Sequence, residues 1–285
     1  MGEPALCNHQ HVVPRALPEF TDHPEDTKNH RFQTPITPPE QVRLFLQRQS
    51  AVHGRRAPRV LDVGCGRGDT VAWLRARGWD AYGVDVDADY VERGRAHLAG
   101  AADDPSRLQV VRDDLSFPFE DGFFDIVLSD QVIEHVANLN ALAAEVSRVS
   151  GPASRGLHIY PARWYPVEPH LKTPFTHWLP KGPLRRTAEA ACLRTGLAAP
   201  YFTEYSLAER AQIYSTYSEE HTFYRSVKST IAVMQRHGLV CDAREASKDR
   251  VALRAPAVRG PALAALGWMC RHLHSVALYT VKPGS

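Results

Sequence analysis

Short apolar runs alternate with helix-period stretches through the first half of the chain. Pro39 to about His53 carries Val42, Leu44, Phe45 and Leu46 at helical spacing. Arg59 to Val63 is a β-branched run of the kind that fills a central strand. The pattern then predicts helix 69–77, strand 80–85, helix 87–98, strand 108–111, strand 124–128, helix 138–149 and strand 156–160. Strands separated by amphipathic helices describe an α/β fold with a doubly wound parallel sheet, whose ligands bind at the carboxyl ends of the strands. From 161 to about 218 the alternation stops. Seven prolines and many aromatics punctuate that stretch, with one helix near 183–195. A helix from about Glu219 to Arg236, ended by Gly238, restores the pattern. Leu239-Val240-Cys241 follows as a strand, residues 261–274 as a helix, and Val276 to Val281 as a last strand lying antiparallel beside the one from 239. No internal repeat is visible.

The most informative segment is the junction after the first strand. Asp62-Val63-Gly64-Cys65-Gly66-Arg67-Gly68-Asp69 runs from a strand into a glycine turn, and helical spacing resumes at Thr70. Glycines at every second position let the backbone pass close to a ligand without Cβ atoms in the way. A dinucleotide fold spaces its glycines G-x-G-x-x-G to seat a pyrophosphate on the helix N-terminus. Here the spacing is D-x-G-x-G-x-G, and the carboxylate of Asp62 repels a diphosphate while suiting a cation. The turn reads as a nucleoside-binding loop for a positively charged ligand.

Three further segments follow in order: Ala81-Tyr82-Gly83-Val84-Asp85, Leu108-Gln109-Val110-Val111-Arg112-Asp113-Asp114-Leu115, and Phe124-Asp125-Ile126-Val127-Leu128-Ser129-Asp130-Gln131-Val132-Ile133-Glu134-His135-Val136. With the glycine turn, they make residues 59 to about 160 resemble the class I S-adenosylmethionine-dependent methyltransferases of the small-molecule, type 11-like group. The resemblance implies a seven-stranded, mostly parallel sheet with an inserted cap after strand 5. It implies S-adenosyl-L-methionine as cofactor and S-adenosyl-L-homocysteine as product. Asp62, Gly64, Cys65, Gly66 and Gly68 then shape the cofactor loop, and Asp85, with Val86 beside it, holds the ribose hydroxyls. Asp113 meets the adenine amino group, Asp114 and Leu115 give backbone contacts, and Ser129 and Gln131 complete the set. The chain divides as 1–57, an N-terminal arm and lid helix; 58–160, the cofactor-binding core; 161–218, the substrate cap; and 219–285, the C-terminal part of the core.

Composition narrows the partners. With 285 residues and 44% hydrophobic content, one α/β domain with insertions is enough. The 34 basic and 32 acidic side chains are interspersed, net +2, which leaves no broad footprint for nucleic acid. Ser129-Asp130-Gln131-Val132 also stands where an Asn/Asp-Pro-Pro-Tyr/Phe would grip a flipped base. Pairs such as Arg185-Arg186 read as solvated surface. Five scattered cysteines, none in C-x-x-C spacing, suggest neither a disulfide framework nor a zinc site and fit a reducing cytoplasm. The radical cluster spacing C-x-x-x-C-x-x-C is absent. No apolar run is long enough to span a membrane, and no secretory leader is evident. His9, His11, His23 and His30 lie in a proline-punctuated opening segment without ligand spacing and are assigned solvated or capping roles.

Three residues are candidates for catalysis. His135 follows the fourth strand, where the mouth opens; its competing role is to begin a helix with Glu134 and contact the backbone. Glu168 and His170 sit in Trp164-Tyr165-Pro166-Val167-Glu168-Pro169-His170, directly after the fifth strand, where prolines fix the side chains and aromatics build a dry wall. A metal on Glu168, His170 and His177 is the weaker alternative, and no metal is expected. Tyr224 and Arg225 can reach back toward the pocket, the arginine mattering for an acceptor with a carboxylate or phosphate. The function implied is methyl transfer to a small-molecule or glycan acceptor, preferably at oxygen, by in-line displacement with a His or Glu base or by proximity alone. N- or C-methylation, a non-catalytic nucleoside-binding scaffold, and an NAD-dependent dehydrogenase remain as alternatives.

Overall fold

The computed structural model describes residues 37–53 and 57–284. The four histidines of the opening segment and Cys7 lie outside the described residues. Seven strands form one sheet in the order β3-β2-β1-β4-β5-β7-β6. They are β1 (Arg59–Val63), β2 (Asp80–Asp85), β3 (Leu108–Val110), β4 (Phe124–Asp130), β5 (Ser150–Pro161), β6 (Val240–Asp242) and β7 (Ser275–Val281). The first five run parallel to one another, and β7 lies antiparallel between β5 and β6. The α/β class, the seven strands and the antiparallel last strand are as the sequence predicts.

The central strands are apolar on both faces because both faces are covered. Successive residues diverge: Leu61 joins a core cluster with Phe124, Val127, Tyr160 and Met234, while Val60 joins one with Val71, Leu74, Val91 and Leu157. Helices α1 (Glu40–His53), α2 (Asp69–Arg75), α3 (Ala88–Gly100) and α8 (Ala243–Arg254) border the second cluster, and α4 (Leu139–Val149) and α7 (Val227–Arg236) border the first. On α1, Val42, Phe45 and Leu46 are buried, and Phe45 stacks on Tyr279 of β7 at 5.5 Å.

Between β5 and α7 the chain builds a third cluster of its own, from Leu171, Leu193, Ile213, Tyr214 and Tyr217. It is carried by α5 (Pro183–Arg194) and α6 (Leu207–Glu220). The predicted helix from Glu219 to Arg236 is instead the end of α6, a non-helical stretch over 221–226, and α7. Ser226 starts α7 afresh, its Oγ accepting from Ser229 N at 3.1 Å. Two helices went unread. On α8 only Ala243, Ala246 and Ser247 are buried, so no large-apolar stripe marks it; α6 does announce itself by a capping box, Ser206 with Glu209. The remaining helix, α9 (Gly260–Leu273), leads into β7. No helix among the described residues is long and apolar enough to cross a membrane.

Candidate active site

The carboxyl ends of β1, β2 and β4 bring a glycine turn and three aspartates, Asp62, Asp85 and Asp130, together. Gly64, Gly66 and Gly68 all take positive φ, and the turn is closed by Gly64 N and Cys65 N donating to Val84 O at 2.8 and 3.1 Å. The three glycines face different surroundings. A Cβ on Gly64 would fall 2.3 Å from Val132 Cγ2, and one on Gly68 would fall 2.6 Å from Leu108 Cδ1, but one on Gly66 would meet nothing within 4 Å. The turn is packed on the protein at its ends and open in its middle, which is a cradle for a ligand. Asp85 braces it: one carboxylate oxygen accepts Gly66 N at 2.7 Å and the other accepts Asp87 N at 2.9 Å.

The electrostatics of this end favour a cation. Burial, with Asp130 and Asp85 nearby, pushes the Asp62 carboxyl up to about 8, against one hydrogen bond from Thr70 that pulls it down. Burial also raises Asp85 and Asp130. Asp130, at the end of β4, also belongs to this acid group, a role not assigned to it by spacing or motif. Residues so placed suit the ammonium and sulfonium of an adenosyl amino acid and oppose a pyrophosphate.

The other cofactor candidates separate into two sets. Val86 is 73% exposed at the end of β2, and Asp113, Asp114 and Leu115 are exposed on the turn after β3, where Leu115 takes φ 66 and Asp114 accepts Ser116 N at 2.9 Å. Gln131, φ 57, is exposed beyond β4. By contrast, the Cys65 thiol is buried in the core beside Gly83, so its side chain is packing. Ser129 is likewise engaged inside the sheet: its hydroxyl meets His158 Nδ1 at 2.8 Å, and His158 Nε2 meets Thr280 at 3.2 Å. Burial holds His158 down to about 4, so this chain across β4, β5 and β7 contains a neutral imidazole.

Beyond β4 the backbone turns over 132–135, with His135 N donating to Val132 O at 2.9 Å, and α4 begins only at Leu139 behind the Asn138 cap. Glu134 and His135 therefore lie in a turn, not at a helix start. Val132 packs on Gly64, which sets this turn against the glycine cradle. Segment 221–225 is stitched to it: Phe223 N donates to Glu134 O at 2.6 Å, His135 Nδ1 donates to His221 O at 2.8 Å, and the Arg225 guanidinium donates to Ile133 O, Val136 O and Ala137 O.

The structure brings His135, Glu168 and His170 together. The His135 and His170 rings meet edge to face at 4.9 Å. Glu168, 1% exposed, receives His170 N at 2.8 Å, His170 Nδ1 at 2.9 Å, Leu171 N and the Tyr224 hydroxyl. Burial alone would raise it, but these donors win and hold it down to about 2. So low a carboxyl is a weak base; Glu168 fixes His170, and the phenol of Tyr224 is pushed well up by burial and by Glu168. His177 is not drawn into a ligand set with Glu168 and His170. It is buried, held down to about 4 by burial, and packs on Tyr224 at 4.9 Å.

Beside this cluster opens a cavity of about 300 Å³ walled by Arg163, His177, Lys181, Arg185, Phe223 and Arg225. Arg185, read from sequence as solvated, is 6% exposed, because its guanidinium finds the carbonyls of His177, Leu179 and Ser218; Arg186 is on the surface with Glu219. Burial raises Glu189, on the same helix, to about 7.

A sequence family described as methyltransferase domain matches residues 61–155. A probable chloroplastic tocopherol O-methyltransferase of Oryza sativa is 37% identical over 99 residues, 34% of this chain and 27% of that protein. An uncharacterized methyltransferase of Mycobacterium sp. strain KMS is 34% identical over 120 residues, 42% of this chain and 45% of that protein. The chain thus spans less than half the length of these curated relatives. Among solved structures, the Haemonchus contortus phosphoethanolamine N-methyltransferase 2 in complex with S-adenosyl-L-methionine superposes with a TM-score of 0.51 at 15% identity, covering 92% of this chain and 57% of that one. Residues 61–155, which carry the D-x-G-x-G-x-G cradle, are thus similar to methyltransferase domains, on a sheet whose fold that solved structure shares.

Proposed function

We propose that the chain is a methyltransferase that binds S-adenosyl-L-methionine in the Gly64–Gly68 cradle and methylates a small-molecule or glycan acceptor, at oxygen by preference. The observation that carries this is the buried acid group of Asp62, Asp85 and Asp130 around an open glycine turn, a site whose charge calls for a cationic nucleoside. Asp85 would hold the ribose hydroxyls, Asp62 and Asp130 the cationic end, and the 113–115 turn with Val86 the base. Bound there, the sulfonium supplies an already activated methyl group. The protein's part is alignment and exclusion of water. In this reading His135 and His170, whose rings touch, would move a proton from an acceptor hydroxyl, and Glu168, accepting from His170 Nδ1, would set that ring. Residues 161–218 form the cap in this reading, with α1 as part of the lid, and the cationic walls of the 300 Å³ cavity suit an acceptor carrying a carboxylate or phosphate.

Calorimetric titration with S-adenosyl-L-methionine, S-adenosyl-L-homocysteine and NAD tests the cofactor. Saturable binding of both adenosyl ligands, lost in Asp85→Ala, is expected. Preference for NAD would turn the reading to a dehydrogenase, and no binding at all would leave a scaffold. Transfer of labelled methyl to a panel of phenols, carboxylates and sugars, with amines as the contrast, then identifies the acceptor atom.

A further inference from the structure

We propose that Glu134, His135 and His170 bind a divalent transition-metal ion of the zinc class beside the cofactor cradle. One ligand atom from each residue lies within 4.8 Å of the other two, and His135 Nε2 is 4.0 Å from Glu134 Oε1. Bonds of about 2.0–2.2 Å from a metal to nitrogen and oxygen set tetrahedral ligand atoms roughly 3.3 Å apart, so the group closes around an ion by about 1 Å.

The surroundings of the three residues are what distinguish them from a chance cluster. A ligating imidazole donates its other nitrogen to a carboxylate or carbonyl, which fixes ring and tautomer. Both histidines do so here: His135 Nδ1 to His221 O at 2.8 Å, and His170 Nδ1 to Glu168 at 2.9 Å. Glu168 in turn is fixed by His170 N, Leu171 N and Tyr224. Nε2 of each ring is then the nitrogen for the ion. The third member, Glu134, is a carboxylate only 1% exposed, held by its backbone to Phe223. Edge-to-face packing brings the two rings together, the Glu134 carboxylate lies beside His135, and a second buried carboxylate, Glu168, supports His170. The sequence suggested no metal here because the ligands come from two segments 35 residues apart (170 − 135) and the supporting groups from a third.

Two imidazoles and one carboxylate favour zinc, cobalt, nickel or ferrous iron over magnesium or calcium. Three protein ligands leave coordination open, as in sites that act on a substrate. An acceptor oxygen bound there would have its pKa lowered, which would replace proton transfer to His135 and His170, whose Nε2 atoms the ion occupies; that role, unlike the site itself, rests on the methyl-transfer reading.

The test uses the full chain, stripped with chelator and titrated calorimetrically with Zn²⁺, with visible absorption of Co²⁺ as a second probe. One Zn²⁺ per chain and a thermal transition that rises with Zn²⁺ are expected. His135→Gln and His170→Gln should each weaken binding at least about tenfold, and Glu168→Gln, which leaves all three ligands in place, by ~10–100-fold. His177→Gln should leave affinity unchanged. Should the ligand variants fail to fold, diethyl pyrocarbonate labelling of the wild-type chain reads the same site: Zn²⁺ should suppress modification of His135 and His170. The proposal falls if the folded chain binds neither ion saturably, if Mg²⁺ binds as well as Zn²⁺, if the substitutions leave affinity unchanged, or if labelling is indifferent to Zn²⁺. Zn²⁺ binding without adenosyl-ligand binding would keep the site and defeat the methyltransferase reading; the reverse pattern would defeat the site alone.

Discussion

The cofactor cradle and the histidine cluster lie against each other and are held together in opposite ways. The cradle is local: Asp62, the glycines, Asp85 and Asp87 span 26 positions, and its bonds run between neighbouring strand ends. The cluster is assembled from three distant segments, at 134–135, 168–170 and 221–225, tied by hydrogen bonds that span 54 to 92 positions. A local site tolerates change elsewhere in the chain, whereas an assembled one is altered by any of its three segments. In the proposed reading, recognition of the cofactor and choice of acceptor can therefore vary separately, with Val132 on Gly64 as a direct mechanical contact between the two regions.

The sharpest way to separate the two regions is Asp85→Ala. Two charged hydrogen bonds to a ribose, at ~1.5–3 kcal/mol each, give a loss of at least about 100-fold in adenosyl-ligand affinity by calorimetry. Zinc binding should persist. Gly64→Ala attacks the contact between the regions: an alanine at φ +70 with its Cβ on Val132 combines backbone strain and overpacking. A destabilisation of about 2–4 kcal/mol by denaturant titration is expected, with both ligand and metal binding weakened. Tyr224→Phe removes one donor from buried Glu168 and should cost ~1.5–3 kcal/mol of stability, with adenosyl-ligand affinity unchanged. Equal damage to both would break the comparison.

Titration sharpens it further. Asp62 sits at about 8 in the ligand-free protein, so below pH 8 a cation must expel its proton on binding. Affinity should rise with pH by up to about tenfold per unit below 8 and level above it. Calorimetry in buffers of different ionisation heat should show proton release at pH 7. Glu168 contributes with the other sign of shift: its depressed carboxyl gives stability that is present above the ordinary value of 4.5 and is lost as pH falls toward about 2. Acid unfolding of Glu168→Gln should accordingly be flatter between pH 5 and 2. The smallest effect is at Val86→Ala, 73% exposed, where adenosyl-ligand affinity should fall by no more than about threefold, from the loss of two methyl groups in a partly wet contact.

The same contrast decides what the sequence discloses. Strand, turn and acid succeed one another in the chain as they do in space, so Asp62, Gly66 and Asp85 stand out by their order, and the methyltransferase resemblance supplies their expected roles. Cys65 and Ser129 lie in the same motifs, yet the turn after β1 puts the Cys65 side chain into the core, and Ser129, on β4, is engaged with His158. Asp130 went unassigned because its partner in charge, Asp62, is on another strand. Tyr224 was read as able to reach the pocket, but its partner Glu168, and the partners of Glu134 and buried Arg185, follow from the path of residues 161–226, which depends on α6, a helix whose buried face of Ile213, Tyr214 and Tyr217 is broken by serines. The break at 221–226 was hidden likewise, since helix propensity there is overridden by hydrogen bonds to the turn at 133–137.

The position of β7 between β5 and β6 also orders events on the ribosome. β5 pairs with β4 as soon as both exist, but its other edge has to wait for β7, and Ser275 reaches Tyr160 across 115 positions. At roughly 5–20 residues per second, that apolar edge stands open for about 6–23 s of synthesis. An unpaired central strand is a template for other chains. The nascent chain thus carries an unpaired β5 edge while residues 162–274, with α7 and α8, are being made.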